Sequence, residues 1–112
     1  MADDRPRVAE AADRYTISTD GNVVGYTKFV DPDDRRRIFF HTEIGERYSD
    51  RGWAGTLVAE ALAETRALGL KIVPVCPYVA RYVREHHDFD DALLDVTPQD
   101  LELVRSLPHQ QE

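Results

Sequence analysis

Arg36-Arg-Ile-Phe-Phe-His-Thr-Glu-Ile44 leads into Asp50-Arg-Gly-Trp-Ala-Gly-Thr-Leu57, and Lys71-Ile-Val-Pro-Val-Cys76 comes next. The hydrophobic period changes twice across these segments. The first is rich in strand formers. From Trp53 to Leu68 the positions Ala54, Leu57, Val58, Ala61, Leu62, Thr65 and Leu68 form a helical stripe. Gly69 is the natural stop for that helix. Lys71 to Cys76 is a short apolar run, which suits a parallel strand buried on both faces. Strand, helix and strand in this order predict a right-handed parallel crossover. The helix then starts at the carboxyl ends of the strands, where α/β sheets place ligands. Pro74 removes one ladder donor, so pairing should break there.

Upstream, Arg14-Tyr-Thr-Ile-Ser18 alternates apolar and polar, and Asp20-Gly21 precedes Val23-Val-Gly-Tyr-Thr-Lys-Phe-Val30. Asp-Gly between two such runs signals a tight hairpin. Asp31-Pro-Asp-Asp34 is a second turn, so the first half predicts a three-stranded antiparallel meander. Residues 1–12 read as a flexible polar arm. Downstream, Pro77 suits the first position of a helix on which Tyr78, Val79, Tyr82, Val83 and His86 share a spacing. Thr97 to Leu107 predicts a last short helix with Leu101, Val104 and Leu107 as its apolar side. The expected class is α+β, a meander followed by a β-α-β crossover and C-terminal helices. The core domain is expected over 13–94, with an acidic segment over 95–112.

The chain has 112 residues, 42% hydrophobic and 31% charged, which suits one globular domain. No apolar run approaches the roughly 20 residues of a membrane span. One cysteine makes no internal disulfide and points to a reducing cytoplasm. Lys+Arg of 14 against Asp+Glu of 21 gives −7, which argues against nucleic-acid and anionic-membrane binding. Arg35, Arg36, Arg37, Arg47 and Arg51 form a local basic stretch. They read either as a site for a small anion or as solvated surface charge.

Three constellations could carry chemistry. Gly52, Ala54 and Gly55 clear side chains from a loop entering a helix, whose first amides and dipole suit a phosphate. The same glycines also read as a plain turn and cap. His41 and Glu43 share a face by the period of two, together with Phe39. Such an acid–base pair could take a proton from an amine, or be two ordinary polar residues at a strand end. Cys76-Pro-Tyr78 puts a thiol at a helix start, either as a nucleophile or thiolate or as a buried inert group. Tyr78 and Tyr82 are one helical turn apart, suited to packing or to proton donation.

Phe40-His-Thr-Glu-Ile44, Gly52-Trp-Ala-Gly-Thr-Leu57 and Val73-Pro-Val-Cys-Pro-Tyr-Val79 with Tyr82 and His86 together resemble the GNAT N-acetyltransferase superfamily. More narrowly they resemble its miniature Yjdj-type branch, over residues 13–94. The resemblance implies a truncated GNAT-like fold and an acetyl-CoA site. Arg51, Gly52, Trp53, Ala54, Gly55 and Thr56 would hold the pyrophosphate. The backbone of Ile44 and Gly45 would pair with the pantetheine arm, near Cys76 and Tyr78. Glu43 or His41 would be the base, and Cys76 or Tyr82 a proton donor or, for Cys76, an acetyl carrier. The partners implied are a CoA thioester and a small amine or a peptide or protein amine. Where the family carries Arg or Gln before the first glycine, this chain has Ser49, with Arg51 as the nearby charge. The stretch lacks the N-terminal helices that cover the acceptor site in full-size members, so that side is expected to be open. The alternatives are a CoA- or acyl-CoA-binding module with little turnover and a protein-interaction domain on a degenerate scaffold.

Overall fold

The computed structural model describes residues 5–108. Its strands are β1 (Arg7–Glu10), β2 (Arg14–Thr19), β3 (Asn22–Val30), β4 (Arg36–Ile44) and β5 (Lys71–Pro74); its helices are α1 (Trp53–Ala67), α2 (Pro77–Glu85) and α3 (Pro98–Ser106). The strands form one sheet in sequence order. β1 to β4 pair antiparallel, and β5 runs parallel to β4. This is the expected α+β arrangement with one addition.

The addition is β1. Residues 7–10, expected within a flexible arm, form an edge strand on β2. Arg7-Val-Ala-Glu10 has one partly buried apolar side chain, Val8, packed on the core. The strand is held by backbone pairing, by Val8 and by an ion pair from Glu10 to Arg37, and leaves almost no hydrophobic period to read. Residues 1–4 and 109–112, which the arm and the acidic segment include, lie outside the described residues.

The hairpin turn has both Asp20 (φ 53°) and Gly21 (φ 79°) in the left-handed region, as its Asp-Gly sequence favours. α1 covers one sheet face with Leu57, Val58, Ala61 and Leu62, all fully buried against Tyr15, Ile17, Phe29 and Phe39. It ends at Gly69 (φ 82°), whose N–H donates to Arg66 O while that of Leu70 reaches Thr65 O. α2 adds Val79 and Val83 to the same core. Among the described residues, no helix is long and apolar enough to cross a membrane.

The other face is covered only in part. Ile38 and Val73 are register partners, fully buried, yet outside the main core cluster. Arg36, on the same face as Ile38 by alternation, bonds Asp100 of α3 at 2.7 Å, which brings α3 over this corner. The expected apolar side of α3 does only part of this work, because Val104 and Leu107 are half-buried and Leu101 is 38% exposed. Buried Asp100 does the rest: its carboxylate accepts from Thr97 N–H while Thr97 Oγ1 accepts from Asp100 N–H.

The basic stretch does not form one anion site. Arg37 is buried and donates to both Asp31 oxygens, at 2.9 and 3.0 Å, and to Tyr15 Oη at 2.6 Å. Arg36 is held by Asp100. Both stand at the start of β4, whereas Arg47 and Arg51 lie past its far end.

Gly25 is where the sheet tolerates no side chain. A Cβ there would run into Ile44 Cδ1 and the Glu43 carbonyl oxygen. Gly25→Ala is therefore expected to cost about 1–3 kcal/mol by overpacking. Gly55→Ala, inside α1 with room around it, should leave stability unchanged or raise it. Urea denaturation of both variants checks this; equal midpoints would contradict it.

Candidate active site

The site starts from the pairing of β4. Its register with β3 steps from Phe29–Phe39 to Lys28–His41, so Phe40 is the extra residue of a bulge. The bulge changes the phase of the strand. Phe39 lies in the core, whereas His41 and Glu43 point to the opposite face, across from Lys28 and Tyr26. His41 and Glu43 share a face as expected, but Phe39 does not join them, because the period of two breaks at Phe40.

On the other edge of β4, pairing with β5 ends at Phe39–Pro74. Pro74 has no N–H to donate. One more bond, Cys76 N–H to Phe39 O at 2.8 Å, closes the contact. β4 runs on to Ile44, so the parallel strands part. Gly45 N–H donates to Val24 O at 2.7 Å. In an antiparallel ladder this makes Gly25–Ile44 a non-hydrogen-bonded pair. The N–H and C=O of Ile44, and by the same alternation of Thr42, then face the gap left by β5. An added strand would find Thr42 and Ile44 there. Gly45, the other residue expected in this role, spends its amide on β3.

Beyond β4 a 3₁₀ segment, Glu46–Arg51, delivers the chain to Gly52, whose φ of 75° favours glycine. α1 begins there with no side-chain cap. The first-turn amides of Trp53, Ala54 and Gly55 have no carbonyl within the helix to reach. Thr56 closes the turn, its N–H and Oγ1 both donating to Gly52 O. The Trp53 side chain is buried and stacks on Tyr48 at 5.0 Å, leaving its amide as its contribution to the loop. The Arg51 guanidinium lies 5.4 Å from both ring centroids. The loop is thereby clamped in shape and carries a fixed cation.

α1 and α2 enclose a cleft of about 370 Å³ whose lining includes Gly55, Tyr78, Arg81, Tyr82, Glu85 and His86. A side chain on Gly55 would project into it, the nearest atom to its Cβ being Tyr78 Oη at 3.9 Å. Tyr82 stacks on His86 at 4.1 Å. Burial, reinforced by Asp88 and Tyr78, holds the Tyr82 phenol above its ordinary range, so it keeps its proton at neutral pH. Cys76 is 3% exposed, and its Sγ donates to Thr42 Oγ1 at 3.3 Å. Thr42 Oγ1 lies 2.8 Å from Thr27 Oγ1.

On the far face Tyr26 Oη donates to Glu43 Oε1 at 2.6 Å, and His41 Nε2 lies 3.4 Å from the same oxygen. The structure therefore sorts the expected residues onto two sides of one gap. The loop amides, Tyr78, Tyr82 and Cys76 are on the helix side. Glu43 and His41 are on the uncovered side. Thr42, Tyr26 and Arg81 were not singled out from sequence. The Thr27–Thr42 and Tyr26–Glu43 pairs depend on the bulge register, and Arg81 on the angle between two helices.

Residues 14–92 match the family model of the GCN5-related N-acetyl-transferases, and the chain belongs to that family. No curated protein matches the sequence. The fold is similar to the solution structure of a GCN5-like protein from Staphylococcus aureus, provisionally named an N-acetyltransferase. That match has a TM-score of 0.63 at 15% identity and covers 82% of this chain and 91% of that one. The crystal structure of Ard1 from Thermoplasma volcanium matches at a TM-score of 0.47 and 17% identity, over 52% of this chain and 39% of that one. This second match is too limited to add to the argument. The family generally uses acetyl-CoA. The residues present fit that molecule: an uncapped helix start with cations for phosphates, a strand edge for an amide-bearing arm, and a cleft kept open by Gly55.

The state of Tyr82 gives a direct check. In a spectrophotometric titration, the phenol missing from Tyr82→Phe should be one that ionises above the ordinary value of about 10. A missing phenol that ionises at or below that value would contradict its burial.

Proposed function

We propose that the chain is an acetyl-CoA-dependent N-acetyltransferase of the miniature Yjdj-type branch, acting on a small amine or on a peptide or protein amine. The observation that carries this reading is the parting of β4 from β5 beside an uncapped helix start, with Glu43 on the opposite face of the same strand. Acetyl-CoA, when bound, supplies a thioester carbonyl that an unprotonated amine can attack.

The roles of the chain's own groups follow from their positions. The amides of Trp53, Ala54 and Gly55 and the guanidinium groups of Arg51 and Arg81 would bind phosphates. The backbone of Thr42 and Ile44 would hold the arm as an added strand, and the Ile44 N–H is a fixed donor for a developing oxyanion. Glu43 would take the proton of the acceptor ammonium, directly or through water, with Tyr26 fixing its carboxylate and His41 as the neighbouring base. On the helix side Tyr82, which keeps its proton, and Cys76 are the two groups able to return one to a leaving thiolate. The tie from Cys76 to Thr42 and its burial favour Tyr82 in that role.

The test is thiol release from acetyl-CoA in the presence of a panel of amines and peptides. Acceptor-dependent release supports the enzyme. Saturable CoA binding with only hydrolytic release from every acceptor would instead make the chain a CoA-binding module.

Two variants separate binding from catalysis. Glu43→Gln should lower acceptor-dependent turnover about 10²- to 10⁴-fold with CoA affinity kept; an unchanged rate would shift the base role to His41 or water. Gly55→Glu should abolish CoA binding, measured by calorimetry, because its carboxylate enters the cleft beside the phosphate loop. Gly55 suits this test better than Gly52, where any side chain is strained at φ 75° whatever its charge. Undiminished CoA binding by folded Gly55→Glu would contradict the cleft assignment.

A further inference from the structure

The opening between β4 and β5 has a closed end. The parallel strands part after Phe39–Pro74, and the last bond across them is Cys76 N–H to Phe39 O. Further along β4, on the open stretch, Thr42 is tied to the same cysteine through its side chain, Sγ donating to Oγ1 at 3.3 Å. Cys76 therefore reaches back to β4 twice, once by backbone and once by side chain.

This bridge is backed from behind. Thr27 and Thr42 are register partners. By the alternation that the Gly45 N–H bond sets, they form a non-hydrogen-bonded pair, the kind in which side chains approach most closely. Their hydroxyl oxygens lie 2.8 Å apart. Thr27 and Val79 are fully buried, and Cys76 is buried with them. One thiol and two hydroxyls thus form a hydrogen-bonded row in a close-packed interior, which resists even one added methylene.

The opening also has a direction. The uncapped start of α1 lies beyond the Ile44 end of β4, across the Glu46–Arg51 segment. A ligand with phosphates on the Trp53–Gly55 amides and an arm paired to Ile44 and Thr42 has its free end pointing back along β4, at the Cys76–Thr42 bridge. The acyl group of a thioester is at that end.

We propose that the Cys76–Thr42–Thr27 row is the end wall of the acyl subsite and that it restricts the donor to acetyl. Each methylene added to the acyl group would press on the bridge. The inference rests on the CoA reading of the opening. It gives Cys76 a steric role, in which the thiol proton is spent on a hydroxyl and the sulfur fills space.

The test measures the dissociation constants of CoA, acetyl-CoA, propionyl-CoA and butyryl-CoA by calorimetry on the intact protein, with turnover as a second readout. The parent should bind propionyl-CoA about 10- to 200-fold more weakly than acetyl-CoA, the range for one methylene in a fitted pocket. Cys76→Ala, which deletes only the sulfur, should bring that ratio toward one. Cys76→Ser, close in size, should keep it. Val83→Ala, which loosens the same core from further along α2, should also keep it. In turnover, Cys76→Ala should raise propionyl transfer relative to acetyl transfer by about the same factor. Propionyl-CoA bound by the parent as tightly as acetyl-CoA, a ratio unmoved in Cys76→Ala, or an equal relaxation in Val83→Ala would overturn the wall and leave the CoA reading in place. Failure of CoA itself to bind would overturn both.

Discussion

One strand, β4, is disturbed on both of its edges, and the rest of the site depends on that. On one edge the extra residue Phe40 turns the strand's phase, so that Phe39 enters the core while His41 and Glu43 leave it. On the other edge Pro74 offers no N–H, and β5 turns away into α2. Without the bulge, Glu43 would point into the helix side of the sheet. Without the divergence, the amides of Thr42 and Ile44 would be consumed by β5. The two irregularities together leave one stretch of backbone that is open at its edge and has different chemistry on its two faces.

The beginning of β4 is built in the opposite way. Arg37 is buried against Asp31, Glu10 and Tyr15, and Arg36 reaches Asp100. Removing Asp31 would leave the buried Arg37 guanidinium, and removing Arg36 the buried Asp100 carboxylate, short of a charged partner. These contacts tie β1, the turn before β4 and α3 to a single end of the strand. The strand is thus pinned where it pairs fully and released where it meets the loop. A groove of mixed charge on one face and a cleft lined by Arg81, Glu85 and two tyrosines on the other follow from that division.

Much of this was legible in the sequence, and what was not has a common cause. The Asp20-Gly21 hairpin, the stripe and Gly69 stop of α1, and the Pro77 start of α2 are local signals, and each appears where the residues place it. The weakening at Pro74 was legible because a missing N–H belongs to one residue. The bulge was not, since Phe39-Phe40 is as apolar as any regular strand and only the partner strand decides which residue is extra. The same holds for β1, whose one core side chain, Val8, leaves no hydrophobic period to read, and for Asp100, which stabilises α3 through an arginine far away in sequence. His41 and Glu43 were found together because two residues apart survives the phase change. Thr42 and Tyr26 were missed because their roles exist only in the shifted register.

The central claim is that the open edge of β4 and the start of α1 are one binding surface for CoA. The most direct measurement is a ¹H–¹⁵N titration of the protein with CoA, following each backbone amide. The account predicts saturable shifts at Thr42, Ile44, Trp53, Ala54 and Gly55, with Gly45 and the β1–β2 edge little affected. Shifts confined to other surfaces, or none at saturating CoA, would contradict it.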